Sequence, residues 1–328
     1  MKKNILVTGG AGYLGSTLVR LLLKENYNVI VFDDLIFGGE SLLGIWNHPD
    51  LKFIKGNIAG ADAIKAVFED YNVGSVVHLA AIVGDPACKK QPELAGKVNW
   101  EASINLLEMS VKNQIERFIF ASTCSNYGKM SDPNGYVDET SDLTPVSLYA
   151  ELKVKFENVL LNDIEKKDNF CPTSFRSATL YGVSPRMRFD LTVNEFTKEL
   201  SLGRELEVFG EQFWRPYCHV YDLATAIILM LNNPKEKVAY NVFNVGDSRE
   251  NYQKKMIVDE IKKKVDNPEI KFVKKNEDPR DYKVSFKKIK SELGFNVTRK
   301  VPDGVKEVKS LIDSKILLDP DDSKYRNS

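Results

Sequence analysis

Histidine and cysteine are scarce, and no long apolar run occurs. Three histidines and four cysteines (Cys88, Cys124, Cys171, Cys218) stand in 328 residues, with no CxxC pair and no metal-ligand spacing between the two residue types. No metal site is therefore expected, and the thiols read as reduced side chains of a cytosolic protein. His78 and His219 follow strand-like runs and read as packing residues, whereas His48 reads as a surface-loop residue. No stretch approaches the roughly 18 uninterrupted apolar residues of a membrane span. The run after Lys2 and Lys3 is cut short by Gly9 and Gly10, too soon for a signal peptide. A cytoplasmic protein with no membrane partner is expected. Net charge is missing as well, because 46 basic side chains cancel 46 acidic ones. That removes the overall field that would favour nucleic acid. An anionic ligand must then be gripped by local groups.

What the chain does have is alternation. Short β-branched apolar runs at 5–7, 29–32, 53–54, 75–79, 117–121 and 173–175 alternate with helical patterns near 14–25, 61–70, 93–113 and 148–166. Strand, helix, strand, helix implies parallel pairing through right-handed crossovers, and so an α/β fold with a doubly wound parallel sheet. After Gly182 the rhythm changes, with Pro185, several arginines and a helical pattern near 191–202. The apolar run 227–231 belongs to a helix that returns to the first domain. The expected division is a dinucleotide-binding domain of 1–182 and 216–247, and a smaller α/β substrate-binding lobe of 183–215 and 248–328. That lobe should sit over the carboxyl edge of the sheet, where open α/β folds bind ligands. The last dozen residues read as a frayed tail.

Between the first strand and first helix stands TGGAGYLGS at 8–16, in which Gly9, Gly12 and Gly15 form GxxGxxG. One glycine serves the tight turn, another the close approach of backbone to a pyrophosphate, and the third the packing of helix on strand. The helix N-terminus then offers unpaired N–H groups and a partial positive charge to phosphates. The second strand ends VIVFDD, placing Asp33 about 20 residues on, where a ribose-binding carboxylate belongs. A carboxylate there accepts from two ribose hydroxyls and repels a 2′-phosphate, which favours NAD over NADP.

At 149–153 stands YAELK, which puts Tyr149 and Lys153 on one helix face. A free tyrosine titrates near 10, so only about one in a thousand is ionised at neutral pH. A neighbouring ammonium and a positive nicotinamide ring would favour the phenolate and lower that value.

These residues together give the chain its resemblance. It resembles the extended short-chain dehydrogenase/reductases, the NAD-dependent nucleotide-sugar epimerase/dehydratase family, across roughly residues 3–315. The resemblance rests on TGGAGYLGS, Asp33, HLAA at 78–81, Asn99, the strand end Ser122-Thr123, Tyr149 with Lys153, and RPYCHVYDLA at 215–224. It implies a Rossmann-type sheet, NAD as cofactor, a nucleoside-diphosphate sugar as substrate, and Thr123, Tyr149 and Lys153 as the catalytic group. The implied cofactor contacts are Gly9, Gly12, Tyr13, Leu14, Gly15, Asp33, Asp34, Leu79, Ala80, Ala81, Asn99 and Ser122, with Tyr149 and Lys153. Asn57-Ile58 stands where the family usually has Asp-Ile beside the adenine. Val83 replaces a lysine that UDP-galactose 4-epimerases place near the cofactor. On the substrate side the resemblance implies Ser125, Thr179 and Asn194, with Arg215 and Arg280 as diphosphate clamps, although relatives place the second clamp nearer Lys275. Arg186 and Arg188 either reach the nucleotide or solvate a loop. The stretch SPRMRFDLTVNEF at 184–196 resembles the branch acting on GDP-heptoses and other bacterial surface sugars.

The residues after Thr123 narrow the chemistry. Relatives that eliminate water carry Asp-Glu there, because elimination needs an acid and a base. Here the pair is Cys124-Ser125, which suits chemistry confined to C4 of the sugar. Epimerisation by transient oxidation is expected, with a 4-dehydrogenase or ketoreductase as the alternative. A 4,6-dehydratase stands further off, as does a non-catalytic dinucleotide-binding regulator, since Thr123, Tyr149 and Lys153 are all kept. Apolar residues on the helices at 93–113 and 148–166 (Leu106, Leu107, Val154, Phe156 and Leu160) exceed one core-facing stripe. With the resemblance, they imply a homodimer paired through those helices.

Overall fold

Each β-strand of the first half alternates its side chains between two cores, and this fixes the layers. In β1 (Asn4–Thr8), Ile5 and Val7 enter one cluster while Leu6 enters the other. The computed structural model describes residues 4–130, 132, 135–274 and 280–327; Lys275 lies outside them. The sheet is completed by β2 (Val29–Asp33), β3 (Leu51–Lys55), β4 (Val73–His78), β5 (Arg117–Thr123) and β6 (Cys171–Ser177), and a later strand closes its far edge. Its order is the doubly wound one: β3, β2, β1, β4, β5, β6 and then β10 (Asn241–Val245), every pair parallel. The direction of winding reverses between β1 and β4, so their carboxyl ends open a crevice.

One face is covered by α1 (Tyr13–Lys24) and, later in the chain, by α8; the other is covered by α2 (Ala61–Asp70), and by α5 and α6 beyond two short helices, α3 (Asp85–Lys90) and α4 (Pro92–Gly96). The expected helix at 93–113 is interrupted. A π-helical turn at Lys97–Glu101 separates α4 from α5 (Ala102–Lys112), and a second such turn at Val159–Asp163 follows α6 (Leu148–Asn158). Such turns cluster at functional sites, and the first one carries Asn99.

The smaller lobe is built from β7 (Thr179–Tyr181), α7 (Thr192–Ser201), β8 (Leu206–Phe209), β9 (Trp214–His219), β11 (Asn251–Gln253), α10 (Lys254–Lys262), β12 (Ile270–Val273) and α12 (Val301–Asp313). Its core joins Val193, Phe196, Val208, Ile257, Val301 and Val305. Between β9 and α10 the chain returns to the first domain through α8 (Val220–Asn232) and α9 (Lys235–Val238). It returns a second time within the expected lobe segment. Around α11 (Lys287–Leu293), Val284, Phe286, Ile289, Leu293 and Phe295 pack into the first core, because the β10 edge of the sheet needs an apolar cover. The short strands of the lobe escape the sequence reading, since three or four residues show no periodicity.

Of the five apolar residues expected in surplus on α5 and α6, Val154 is half-buried and the other four are not exposed. Leu106, Leu107, Phe156 and Leu160 are all buried in this chain's own core beneath the sheet. Among the described residues no helix is long and apolar enough to cross a membrane.

Candidate functional site

The glycine turn is set by backbone contacts that leave no room for side chains. Gly9 has φ +74°, and a Cβ on it would stand 2.8 Å from the Ala80 amide nitrogen at the end of β4. A Cβ on Gly15 would stand 2.2 Å from the Gly9 carbonyl oxygen, so α1 could not seat against the turn. Glycine is therefore demanded by packing at both positions. The carboxylate of Asp33 at the end of β2 accepts from Ala11 N–H (2.9 Å) and Leu35 N–H (2.8 Å). Burial pushes its carboxyl up from the ordinary value while these two donors oppose the shift. Each oxygen keeps a lone pair toward the crevice, as recognition of a ribose diol requires.

A cavity of about 470 Å³ extends from this turn across the ends of β4 and β5 to the smaller lobe, a size typical of small-molecule sites. Gly9, Gly12, Tyr13, Leu14, Gly15, Asp33, Asp34, Asn57, Ile58, Leu79, Ala80, Ala81 and Ser122 all line it, as do Thr123, Tyr149 and Lys153. Asn57 does so with its amide already engaged, donating to Asp34 (2.8 Å) and accepting from Ala59 N–H (2.8 Å). Asn99 departs from expectation. It is buried off the wall and clamps Ile82, accepting from its N–H (2.8 Å) and donating to its carbonyl (2.9 Å). It shapes the 79–84 wall instead of touching the cavity.

The residues expected to form the catalytic group meet where β5 ends against α6. Thr123 Oγ1 accepts from Ser125 N–H (3.1 Å) and so caps the short turn that follows. Ser147 caps α6 by accepting from Ala150 N–H (3.3 Å), and its hydroxyl donates to Asp85 (2.7 Å). One turn into that helix Lys153 is buried and donates to the Ala121 carbonyl (2.7 Å), its ammonium 5.9 Å from the Tyr149 ring centre. Burial lowers the Lys153 ammonium to about 8. Burial also pushes the Tyr149 phenol up, and Cys88 and Asp85 add to that shift. The expected lowering of Tyr149 by Lys153 is thus outweighed, since desolvation opposes charge on both groups. Cys124 lies fully buried, donating to the Arg176 carbonyl (3.3 Å), and burial raises its thiol well above the ordinary range.

Behind this group runs a buried polar chain. Glu157, one turn past Lys153 on α6, accepts from Arg176 Nη2 (2.6 Å), Arg176 Nε (3.0 Å) and Ser174 Oγ (3.0 Å). Arg176 Nη1 donates to Tyr127 (2.9 Å), whose hydroxyl donates to Asn244 (2.8 Å). His78 is held between Thr8 and Ser103, and burial drives its imidazole down to about 3, so it stays neutral. His219 pairs with Glu307 (2.8 Å).

The expected substrate residues divide. Ser125, Thr179, Arg186, Arg188 and Arg280 line the cavity. Arg188 is forked by Asp190 (2.9 and 2.7 Å), and Arg280 donates to Asp85 (2.6 Å). Asn194 is not on the wall. Fully buried, it accepts from Gly182 N–H (2.9 Å) and donates to Tyr13 (3.1 Å) and to the Arg188 carbonyl (2.9 Å). Its role is to tie α7 to α1. Arg215 is likewise buried outside the wall, donating to the Trp214 carbonyl (2.7 Å) and lying 5.2 Å from the Tyr282 ring centre. Lining residues that the sequence reading missed include Phe37, Asp85, Tyr282 and Asn327. Asp85 follows the recognised 78–81 stretch closely and Tyr282 lies two residues past Arg280, but neither belongs to a spaced motif.

The comparisons with known proteins agree with this geometry. The chain is similar to the UDP-glucose 4-epimerase of Streptococcus mutans, 28% identical over 311 residues, covering 89% of this chain and 91% of that one. It is also similar to the bifunctional protein GAL10 of Pachysolen tannophilus, 28% identical over 268 residues, but it spans only 39% of that protein's length and 74% of its own. Among solved structures, the UDP-glucose 4-epimerase of Thermotoga maritima with UDP-glucose superposes with a TM-score of 0.84 at 28% identity, over 95% of this chain and 99% of that one. A model of the NAD dependent epimerase/dehydratase family matches residues 5–246. With the glycine turn, Asp33 and the Thr123–Tyr149–Lys153 group on one cavity, the chain belongs to the NAD dependent epimerase/dehydratase family, and its cofactor is NAD.

Proposed function

We propose that this protein is a nucleoside-diphosphate-sugar 4-epimerase working by transient oxidation at C4. The observation that carries the reading is the state of the carboxylates on the cavity wall. Asp33 and Asp34 stand at the glycine-turn end, Asp190 is forked by Arg188, and Asp85 is engaged by Arg280 and Ser147. Beside Tyr149, apart from the engaged Asp85, the wall offers the hydroxyls of Thr123 and Ser125, while the Cys124 thiol is buried off the wall and raised by desolvation. Eliminating water needs an acid and a base, each worth about 100- to 10,000-fold. Moving a proton at the 4-hydroxyl needs one group only.

In this reading the glycine turn and Asp33 hold the pyrophosphate and adenosine ribose, and Lys153 donates to the nicotinamide ribose. Bound NAD supplies the hydride acceptor. Tyr149 takes the proton of the 4-hydroxyl and later returns it, while Thr123 hydrogen-bonds the same oxygen and steadies it. Ser125, Thr179, Arg188 and Arg280 form the substrate wall, the two guanidiniums reaching the diphosphate. The similarity to UDP-glucose 4-epimerases makes UDP-hexoses the first substrates to test. We further propose a cytoplasmic homodimer. Its interface uses the half-buried apolar side chains Trp100, Ile104, Met109 and Val159 around α5 and α6.

The test is a panel of nucleotide sugars deuterated at C4, followed by NMR and mass spectrometry. The expected product is the C4 epimer with no loss of mass, and Tyr149→Phe should abolish turnover while NAD stays bound. A product 18 mass units lighter would refute C4-only chemistry. A 4-keto sugar accumulating with reduced cofactor would identify a dehydrogenase instead.

A further inference from the structure

The Asp33 end of the cavity is closed by Arg186, from the distinctive 184–196 stretch, and by Phe37 and Asn327, which no motif announces. The segment after β7 is fixed to α1, where the Ser184 hydroxyl donates to the Tyr13 carbonyl (2.6 Å) and Thr17 donates to Ser184 (3.2 Å). Two residues on, the Arg186 guanidinium lies 4.1 Å from the Phe37 ring centre, and its Nη2 donates to the Arg326 carbonyl (3.1 Å). Arg186 is 6% exposed. Among the described residues its Nε has no hydrogen-bond partner and no carboxylate forks it as Asp190 forks Arg188.

The residues expected to fray turn out to be packed there. Tyr325 accepts from Phe189 N–H (2.8 Å) and stacks edge-on against the Phe189 ring at 5.8 Å. Asp321 is held by Lys198 (2.5 Å) and Arg204 (2.6 Å). Asn327 N–H donates to Asp190 (3.1 Å), and its side-chain Oδ1 is a second buried polar atom without a partner among the described residues. Arg186 and Asn327 both line the cavity. A buried guanidinium with an open N–H and no anion is costly to hold, and it is stabilised when an anion arrives. Burial and the neighbouring Arg188 lower its affinity for its own proton, to about 10, and the nearby carboxylates of Asp190 and Asp33 offset this only in part. At this end of the cavity Asp33 awaits ribose hydroxyls and the start of α1 awaits a pyrophosphate. The anion between them is the phosphate next to the adenosine.

We propose that Arg186 and Asn327 belong to the cofactor site, with Arg186 Nε donating to the adenylate phosphate of NAD and residues 319–327 clasping the adenosine half in place. The sugar chemistry of the main site is not needed for this; only the dinucleotide at the glycine turn is. The probes are therefore ADP-ribose, which is NAD without its nicotinamide and so keeps the adenylate phosphate, and UDP, which stands for the nucleotide of the sugar substrate. Both are titrated into the protein after bound nucleotide is removed. Arg186→Gln should weaken ADP-ribose by about 10- to 100-fold, the value of one charge-assisted hydrogen bond, and change UDP by about twofold at most. Arg186→Lys keeps the charge but not the Nε geometry, and should lose about tenfold in ADP-ribose. Tyr325→Ala should speed NAD release by loosening the clasp. Unchanged ADP-ribose affinity in Arg186→Lys overturns the assignment, and that variant decides alone if Arg186→Gln fails to fold. An equal or larger loss in UDP also overturns it, by giving Arg186 to the sugar nucleotide. Failure of the unmodified protein to bind ADP-ribose would instead refute the dinucleotide site itself.

Discussion

Glu157 and Arg176 form a buried ion pair whose removal has a calculable cost. Their side chains are 3% and 6% exposed, and the pair fixes α6, which carries Tyr149 and Lys153, to β6. Glu157→Leu removes three accepted hydrogen bonds and leaves the Arg176 guanidinium with Tyr127 as its remaining side-chain partner. Breaking one side of a buried pair costs about 3–5 kcal/mol, because the other charge stays desolvated. With a urea m-value of about 3 kcal/mol/M, a loss of about 4 kcal/mol moves the midpoint down by about 1.3 M. The double variant Glu157→Leu/Arg176→Met removes both charges and fills similar volume, so it should recover to within about 1 kcal/mol of the unmodified protein. The measurement is a double-mutant cycle by urea titration followed by fluorescence and circular dichroism. A double variant as unstable as the sum of its singles would refute the argument. It would show that the hydroxyls of Ser174 and Tyr127, and not the uncompensated charge, set the cost.

Asp33→Asn should narrow the preference for NAD over NADP by at least about tenfold, since the carboxylate that repels a 2′-phosphate is neutralised; comparable binding of both dinucleotides by the unmodified protein would refute this role. Lys153 supplies a pH signature, because its ammonium falls to about 8 in the fold from an ordinary value of 10.5. Between those values the unfolded chain binds more protons than the folded one, so this group makes stability rise with pH across the window, by about 3 kcal/mol in total. Urea titrations of Lys153→Met at pH 7.5 and 10 should lack that increment, and a parallel pH response in both proteins would rule it out. For association, sedimentation at micromolar concentration should show a dimer that Trp100→Glu dissociates; a monomer throughout would end the proposal.

The glycine turn and Asp33 were legible because close backbone approach admits only glycine and because the carboxylate stands at a strand end fixed by period. Tyr149 and Lys153 were legible for the same reason, as helix spacing alone puts them on one face. What the sequence hid depends on distant segments meeting. Arg176 and Glu157 are 19 residues apart and pair across two elements, and Arg280 reaches Asp85 across 195. No local pattern distinguishes Arg215, buried against Tyr282, from Arg188, which lines the cavity. The apolar faces of α5 and α6 misled for a related reason. A helix beneath a sheet and beside another helix buries more than one stripe within its own chain, so Leu106 and Phe156 count toward the monomer core.

The electrostatics of Tyr149 explain how one residue can serve both directions of the proposed reaction. Burial, Cys88 and Asp85 all push its phenol up, so the site by itself keeps the hydroxyl protonated. Lys153 stands 5.9 Å from the ring centre with its ammonium donating to Ala121, an arrangement that orients it without overcoming burial. Readiness to accept the 4-hydroxyl proton must then come from positive charge that is present only with the oxidised cofactor. At an effective dielectric near 20, a positive charge brought beside the phenol would be worth up to about 4 kcal/mol, or roughly two to three units of acidity. Without that charge, burial would again favour the protonated phenol, so Tyr149 would hold the proton that the return step of the proposed reaction requires. Desolvation is thus the restoring force of the cycle.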